Sequence, residues 1–187
     1  MKIAIIGGIG SGKSEVLNVA RELGLSTLSA DEINAELLEN AEYIFEIAQA
    51  FPIAVVNGMI DRRKLAEIVF SDEVELARLN ALAHPRILAR IKAEESDPLV
   101  VEMPLLVESG AEDLFDEIIL VYTPLPLRLE RLAMRGMSIE HAQRRIKAQA
   151  EEKALMAVAT RVIENTSGLE KLRENARELF MKLTDIR

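Results

Sequence analysis

The residues Gly7-Gly8-Ile9-Gly10-Ser11-Gly12-Lys13-Ser14 follow directly on the apolar run Ile3-Ala4-Ile5-Ile6. They match the phosphate-loop pattern G-x-x-x-x-G-K-[ST] in its required setting, a short strand before it and a helix after it. The chemistry needs these residue types at these spacings. Gly8, Gly10 and Gly12 let the backbone turn tightly, so that its N–H groups, including that of Ser11, reach phosphate oxygens. The helix that begins near Lys13 turns its positive end toward the same anion. Lys13 adds an ammonium for the β- and γ-phosphates, and the Ser14 hydroxyl can ligate Mg²⁺. The expected ligand is therefore a nucleotide.

Other residues could complete a phosphoryl-transfer site. Asp31 lies just past the apolar stretch Leu28-Ser29-Ala30. There it could accept a proton from an attacking hydroxyl, help hold magnesium, or cap the helix expected over 32–38. Glu102 ends the run Val100-Val101 and could meet Mg²⁺ directly or through water; a solvated carboxylate is the alternative. Between Pro124 and Ala150 stand six basic residues against two acidic ones, in a chain of net charge −8. Arg128, Arg131 and Arg135 share one helical face, and Gly136 offers a hinge or a helix stop. This suits either an arginine lid over transferring phosphates or a solvated basic face. Histidines such as His84 more often cap or pack than catalyse, and Pro85 suits the first turn of a helix over 86–92. Asn165 and Gly168 follow a weak strand signal, in a plain turn or in a loop that approaches an adenine.

These side chains need strands to carry them. Short apolar runs predict strands at 2–6, 26–29, 99–103 and 118–122, with a weaker one at 161–164. Helical periodicity separates most of them, which implies crossover units, a parallel sheet and helices on both faces. About 70 residues with helical patterns divide the second strand from the third, far more than a plain crossover needs. An inserted helical lobe at about 32–97 is expected, with Asn57-Gly58 as a turn inside it and a lid at about 125–150, within one domain spanning 1–187. A last helix over 169–183 should pack Leu172, Ala176, Leu179 and Leu183 on the sheet.

Composition narrows the function. Hydrophobic content of 49% and charged content of 29% are those of a globular domain. The acidic balance argues against nucleic acid or an anionic membrane as the main partner. No cysteine is present, which excludes disulfides and thiolate ligands. The apolar run at the start breaks at Gly7 without a cleavage site, and none approaches the length of a membrane span. A cytoplasmic protein, a monomer or small homo-oligomer, is expected.

Further segments occur in order: Ile60-Asp61-Arg62, Leu82-Ala83-His84-Pro85, Pro104-Leu105-Leu106-Val107-Glu108, Arg131 with Arg135, Arg145-Ile146-Lys147-Ala148-Gln149 and Val162-Ile163-Glu164-Asn165. Together with the phosphate loop and Ala30-Asp31, this set resembles the bacterial dephospho-coenzyme A kinase family over nearly the whole length. The resemblance implies an α/β three-layer P-loop kinase fold. It implies transfer of the γ-phosphate of ATP, with Mg²⁺, to the ribose 3′-hydroxyl of dephospho-CoA. By the same resemblance Asp31 is the base, and Lys13 and Arg135 neutralise the moving phosphoryl group. Ser14 binds magnesium, and Arg131 and Asn165 border the nucleotide. Arg62, His84, Pro104, Leu105, Leu106 and Glu108 lie along the dephospho-CoA. A kinase of another hydroxyl acceptor, and a nucleotide-binding regulator with reduced turnover, are the alternatives.

Four positions depart from the family pattern. Glu15 stands where a hydroxyl usually meets the α-phosphate, so its carboxylate either faces that phosphate or turns to solvent. Ile6 replaces a common Thr, Ser29 replaces an Asp ahead of the base, and the Asp common before the last strand is missing near Thr160.

Overall fold

A computed structural model describes residues 1–184 of the chain. It begins with β1 (Lys2–Ile6), α1 (Lys13–Glu22) and β2 (Ser26–Ser29). Next come α2 (Ala30–Leu37), α3 (Ala41–Ala50), β3 (Val55–Val56), β4 (Met59–Ile60), α4 (Arg62–Val69) and α5 (Glu73–Lys92). The chain continues through β5 (Leu99–Glu102), α6 (Leu106–Ser109), β6 (Glu117–Tyr122), α7 (Leu125–Met134) and α8 (Ile139–Lys147). It closes with α9 (Glu152–Val158), β7 (Arg161–Glu164) and α10 (Leu169–Thr184). Contacts divide it into two compact units, Met1–Ser29 with the chain from Glu94 onward, and Ala30–Ala93.

In the first unit five strands form one parallel sheet in the order β2-β5-β1-β6-β7. Continuous apolar runs make these strands, because a parallel strand covered on both faces has no wet side to alternate with. Ile3, Ile5, Val100, Ile119, Val121 and Ile163 pack against Val16, Leu17 and Ala20 of α1 and Leu172, Ala176 and Phe180 of α10. The opposite row, Ala4, Ile6, Val101 and Leu120, is buried as well. The edge strand β7 gave the weakest sequence signal because Val162 stays half-exposed there.

Register brings the strand ends level. Ser29 and Ile5 both pair with Glu102, Ile6 pairs with Leu120, and Tyr122 pairs with Glu164. From central β1 the chain goes to one edge of the sheet and later returns to the other side, which opens a crevice at the carboxyl ends. At the opposite ends Thr160, where the family commonly has Asp, joins β7 to β6. Its hydroxyl accepts the Ile118 N–H at 2.9 Å and donates to the Glu117 carboxylate.

The second unit corrects two expectations. Helix α5 is one 20-residue element with Pro85 inside it, not a helix starting at Arg86. Proline leaves an upstream carbonyl without its helical donor. The continuous buried face Ala83, Ile87 and Ile91 outweighs that loss, and Arg86 Nη1 donates to the Leu82 carbonyl at 3.2 Å. Arg86 also pairs with Glu46 and lies 5.5 Å over the Tyr43 ring. The lobe is not wholly helical either: β3 and β4 form an antiparallel hairpin across Asn57-Gly58. Both turn residues have positive φ, 53° and 75°, the backbone that an Asn-Gly pair tolerates best. Asn40, Asp61 and Asp72 cap α3, α4 and α5 by accepting first-turn N–H groups.

His84 sits in α5 with its Nε2 buried and unpartnered, and burial pushes its imidazole below the ordinary range. The folded state therefore prefers neutral His84. Its contribution is complete above the unfolded pKa of about 6.5 and is lost as pH falls toward the lower folded value. Melting temperatures between about pH 7.5 and 5.5 should decline less for His84→Gln than for the parent chain. One such proton accounts for at most about 1.4 kcal/mol per pH unit.

Candidate phosphate-binding site

The loop between β1 and α1 is shaped by glycine where the backbone leaves the ordinary region. Gly10 and Gly12 have φ of 80° and 103°, and a Cβ on Gly7 would lie 2.5 Å from the Val121 carbonyl. Lys13, only 7% exposed, donates from Nζ to the carbonyls of Gly7 at 2.9 Å and Gly8 at 3.3 Å. The Ser14 hydroxyl donates to Glu102 Oε1 at 3.0 Å, joining the start of α1 to the end of β5. Ammonium, hydroxyl and carboxylate thus meet where the strands end.

The loop is also fixed from behind. The Ser11 carbonyl accepts from Thr123 Oγ1 at 3.0 Å and from Asn165 Nδ2 at 2.7 Å. Thr123 follows β6 and Asn165 follows β7, both are buried, and Arg131 Nη2 reaches Asn165 O and Oδ1 at 3.0 and 3.2 Å. Sequence reasoning missed Thr123. Its signal was a small hydroxyl residue directly after a strand that ends beside the loop. Gln149, noted only within a longer segment, accepts the Ile9 N–H at 2.7 Å.

Other expected residues are placed differently. Arg128, Arg131 and Arg135 share a face of α7, but Arg135 is its exposed C-cap and makes no ion pair among the described residues. Gly136, at φ 80°, stops the helix as the residue after that cap. Glu15 neither stands alone in solvent nor turns its carboxylate into an open loop. It is ion-paired with Arg173 of α10, which also binds Glu22 at 2.6 Å. Its bonds to Glu22 and Glu15 raise the Arg173 guanidinium above its ordinary pKa, and the same arginine holds Glu22 below the usual carboxylate range. Leu106 is a core residue at 1% exposure, while Pro104 and Leu105 are half-buried. Glu108 Oε1 accepts the Ala150 N–H at 2.6 Å.

Asp31, Arg62 and His84 belong to the second unit. Asp31 is exposed in the first turn of α2, inside the helix and not its cap, two positions past Ser29. Arg62 Nη2 lies 3.4 Å from the Ala35 carbonyl and 3.6 Å from Glu39.

The donor set at Ser14 and Glu102 is oxygen only, as a hard divalent cation requires. No cluster of three or more His, Cys, Asp or Glu suited to a metal occurs among the described residues. Mg²⁺ fits that arrangement, since it usually takes one or two carboxylates together with water and substrate phosphates.

A family model described as dephospho-CoA kinase matches residues 1–171. The chain belongs to the dephospho-CoA kinase family. Members are ATP-using P-loop kinases, and the chain converts dephospho-CoA to CoA. It is 38% identical to a dephospho-CoA kinase of Thermobifida fusca over 98% of this chain and 96% of that one. Identity to the Deinococcus radiodurans enzyme is 40%, over 91% and 86% of the two chains. A crystal structure from Thermus thermophilus superposes with TM-score 0.82 at 38% identity, covering 98% of each chain. Dephospho-CoA kinase from Campylobacter jejuni gives 0.71 at 30%, covering 99% and 98%. Shikimate kinase from Acinetobacter baumannii, at 17% identity and TM-score 0.61, shares the fold over 98% of this chain and 93% of its own. No helix among the described residues is long and apolar enough to cross a membrane.

Asn165→Ala removes a buried donor and acceptor behind the loop, and should cost about 2 kcal/mol, or roughly 4–8 °C in melting temperature. Glu15→Thr should lower the melting temperature by roughly 1–3 °C, through loss of the Arg173 ion pair and of a carboxylate at a helix N-terminus. Calorimetry at low and high salt checks the second, because screening shrinks an electrostatic difference.

Proposed function

We propose that Lys13, Asp31 and Arg135 carry out the transfer of the ATP γ-phosphate to the ribose 3′-hydroxyl of dephospho-CoA. The observation that supports this most directly is the Lys13 ammonium folded over Gly7 and Gly8, beside the Ser14–Glu102 bond at the strand ends. Backbone N–H groups of the loop, other than those of Ile9 and Ser11, which bond within the protein, hold the phosphates. Asp31 accepts the hydroxyl proton while that oxygen attacks the γ-phosphorus, and the bond to the β-phosphate bridging oxygen breaks to release ADP. Lys13 and the lid residue Arg135 offset the charge that spreads over the equatorial oxygens. Ser14 and Glu102 would hold Mg²⁺, which, when bound, neutralises phosphate charge.

The acceptor side is assigned to Arg62 and His84 of the inserted lobe and to the segment Pro104–Glu108. Within that segment Pro104 and Leu105 are the contributors, since the Leu106 side chain is in the core and Glu108 is committed to Ala150. Arg131 and Asn165 border the nucleotide by fixing the loop. The enzyme works as a cytoplasmic monomer or small homo-oligomer.

Asp31→Asn tests the central role. Turnover should fall by roughly 10²–10⁴ while ATP affinity changes little, with circular dichroism confirming the fold. A loss explained wholly by weaker ATP binding would make Asp31 a metal-shell residue and overturn its assignment as base.

A further inference from the structure

Arg128 occupies a place that its neighbours in the helix do not. A Cβ built on Gly8 would stand 1.7 Å from Arg128 Nη1 and 2.7 Å from Cζ, so the guanidinium lies directly on the Gly8 backbone. The same residue's main chain reaches Gly10, where a Cβ would meet the Arg128 carbonyl at 3.1 Å. Its Nε is buried without an acceptor, and Arg128 makes no ion pair among the described residues. Burial pushes the guanidinium below its ordinary pKa, and Glu152 and Tyr122 oppose that shift. A buried N–H without an acceptor is costly, because nothing repays its lost hydration. Arg131, one turn along, shows the alternative, with its donors taken by Thr123 and Asn165.

Arg128 also has a cationic neighbour. Lys13 Nζ donates to the Gly8 carbonyl at 3.3 Å, so two positive side chains converge on one glycine. Beside Arg128 is a cavity of about 280 Å³, whose polar lining includes Lys147 and Gln149 together with the carboxylates Glu151 and Glu152. Two cations meeting at one glycine of the phosphate loop, one with an Nε that lacks an acceptor, describe an anion site on that glycine.

Position within the loop says which anion. Ser14 and Glu15 open α1, at the end of the loop that meets the inner phosphates. Gly8 lies at the other end, where the Lys13 ammonium, which serves the outer phosphates, also rests. We propose that Arg128 is a phosphate-contacting residue that grips the terminal phosphoryl group of ATP across Gly8. Guanidinium suits that group because its planar donors bind phosphate oxygens in pairs and keep their charge throughout transfer. The proposal rests on ATP binding at the phosphate loop and adds a means of telling a triphosphate from a diphosphate.

The test compares ADP with the non-hydrolysable β,γ-imido analogue of ATP by calorimetry, without acceptor, in the parent chain, Arg128→Gln and Arg128→Lys. Arg128→Gln should weaken the triphosphate analogue by roughly 10–100-fold, the worth of a charge-assisted contact, and leave ADP within about twofold. Arg128→Lys should fall between the two. Equal losses for both nucleotides would make Arg128 a merely structural part of the loop and overturn the proposal, as would no loss for either. Retained ADP binding reports a folded phosphate loop, so the assignment of that loop stands or falls separately, through loss of ADP binding in Lys13→Met.

Discussion

One carbonyl oxygen holds the site in shape. Ser11 sits at the crest of the phosphate loop, and its C=O points backward into the protein, where Thr123 and Asn165 both donate to it. A glycine-rich loop loses much conformational entropy when ordered, so something rigid must hold it. The supports here are residues that directly follow two neighbouring parallel strands. With the carbonyl drawn inward, the N–H groups of Gly10 and Gly12 are left for an external anion. The parallel register matters for the same reason: it sets the end of β7 level with that of β6, within reach of β1.

Three arginines at helical spacing show how far identical chemistry can diverge over two turns. Arg131 is spent inside, bracing the Asn165 support. Arg128 lies on the loop without an anion of its own. Arg135 extends past the end of the helix into solvent. The difference comes from their distance to the sheet and to the glycine stop at 136, which charge and periodicity do not report. On the far side of the loop, Arg173 holds the Glu15 carboxylate against α10 and so accommodates a residue that departs from the family pattern.

Much of the scaffold was readable because it follows from local rules. An apolar run before glycines, Lys13 and Ser14 means a strand, an anion loop and a helix, and continuous apolar strands mean a covered parallel sheet. Edges were less clear. β7 is half wet, and β5 ends one residue before the expected Met103. The hairpin at 55–60 hid in a mainly helical lobe because each of its strands is only two residues long. Pro85 misled because a helix break is predicted from backbone cost alone, whereas the buried face of α5 is a tertiary gain. In the site, the phosphate-loop residues were legible from their types. Thr123 and the Arg173 pairing were not, since each depends on which distant segments come together. Leu106 shows the converse: a residue in a telling motif can also serve the core.

Helix α8 is attached at both of its ends. Three residues before its start is Gly136, whose left-handed backbone a glycine adopts without steric cost. Past its end Gln149 holds the Ile9 amide, and the next residue, Ala150, is held by Glu108. The segment between is therefore a bridge and not a free flap. Any excursion of α8 must twist about the glycine while it pulls on the phosphate loop through residue 149 and on the segment after β5 through residue 150. The basic helix and the phosphate loop are thus tied to each other through a single side-chain amide, that of Gln149.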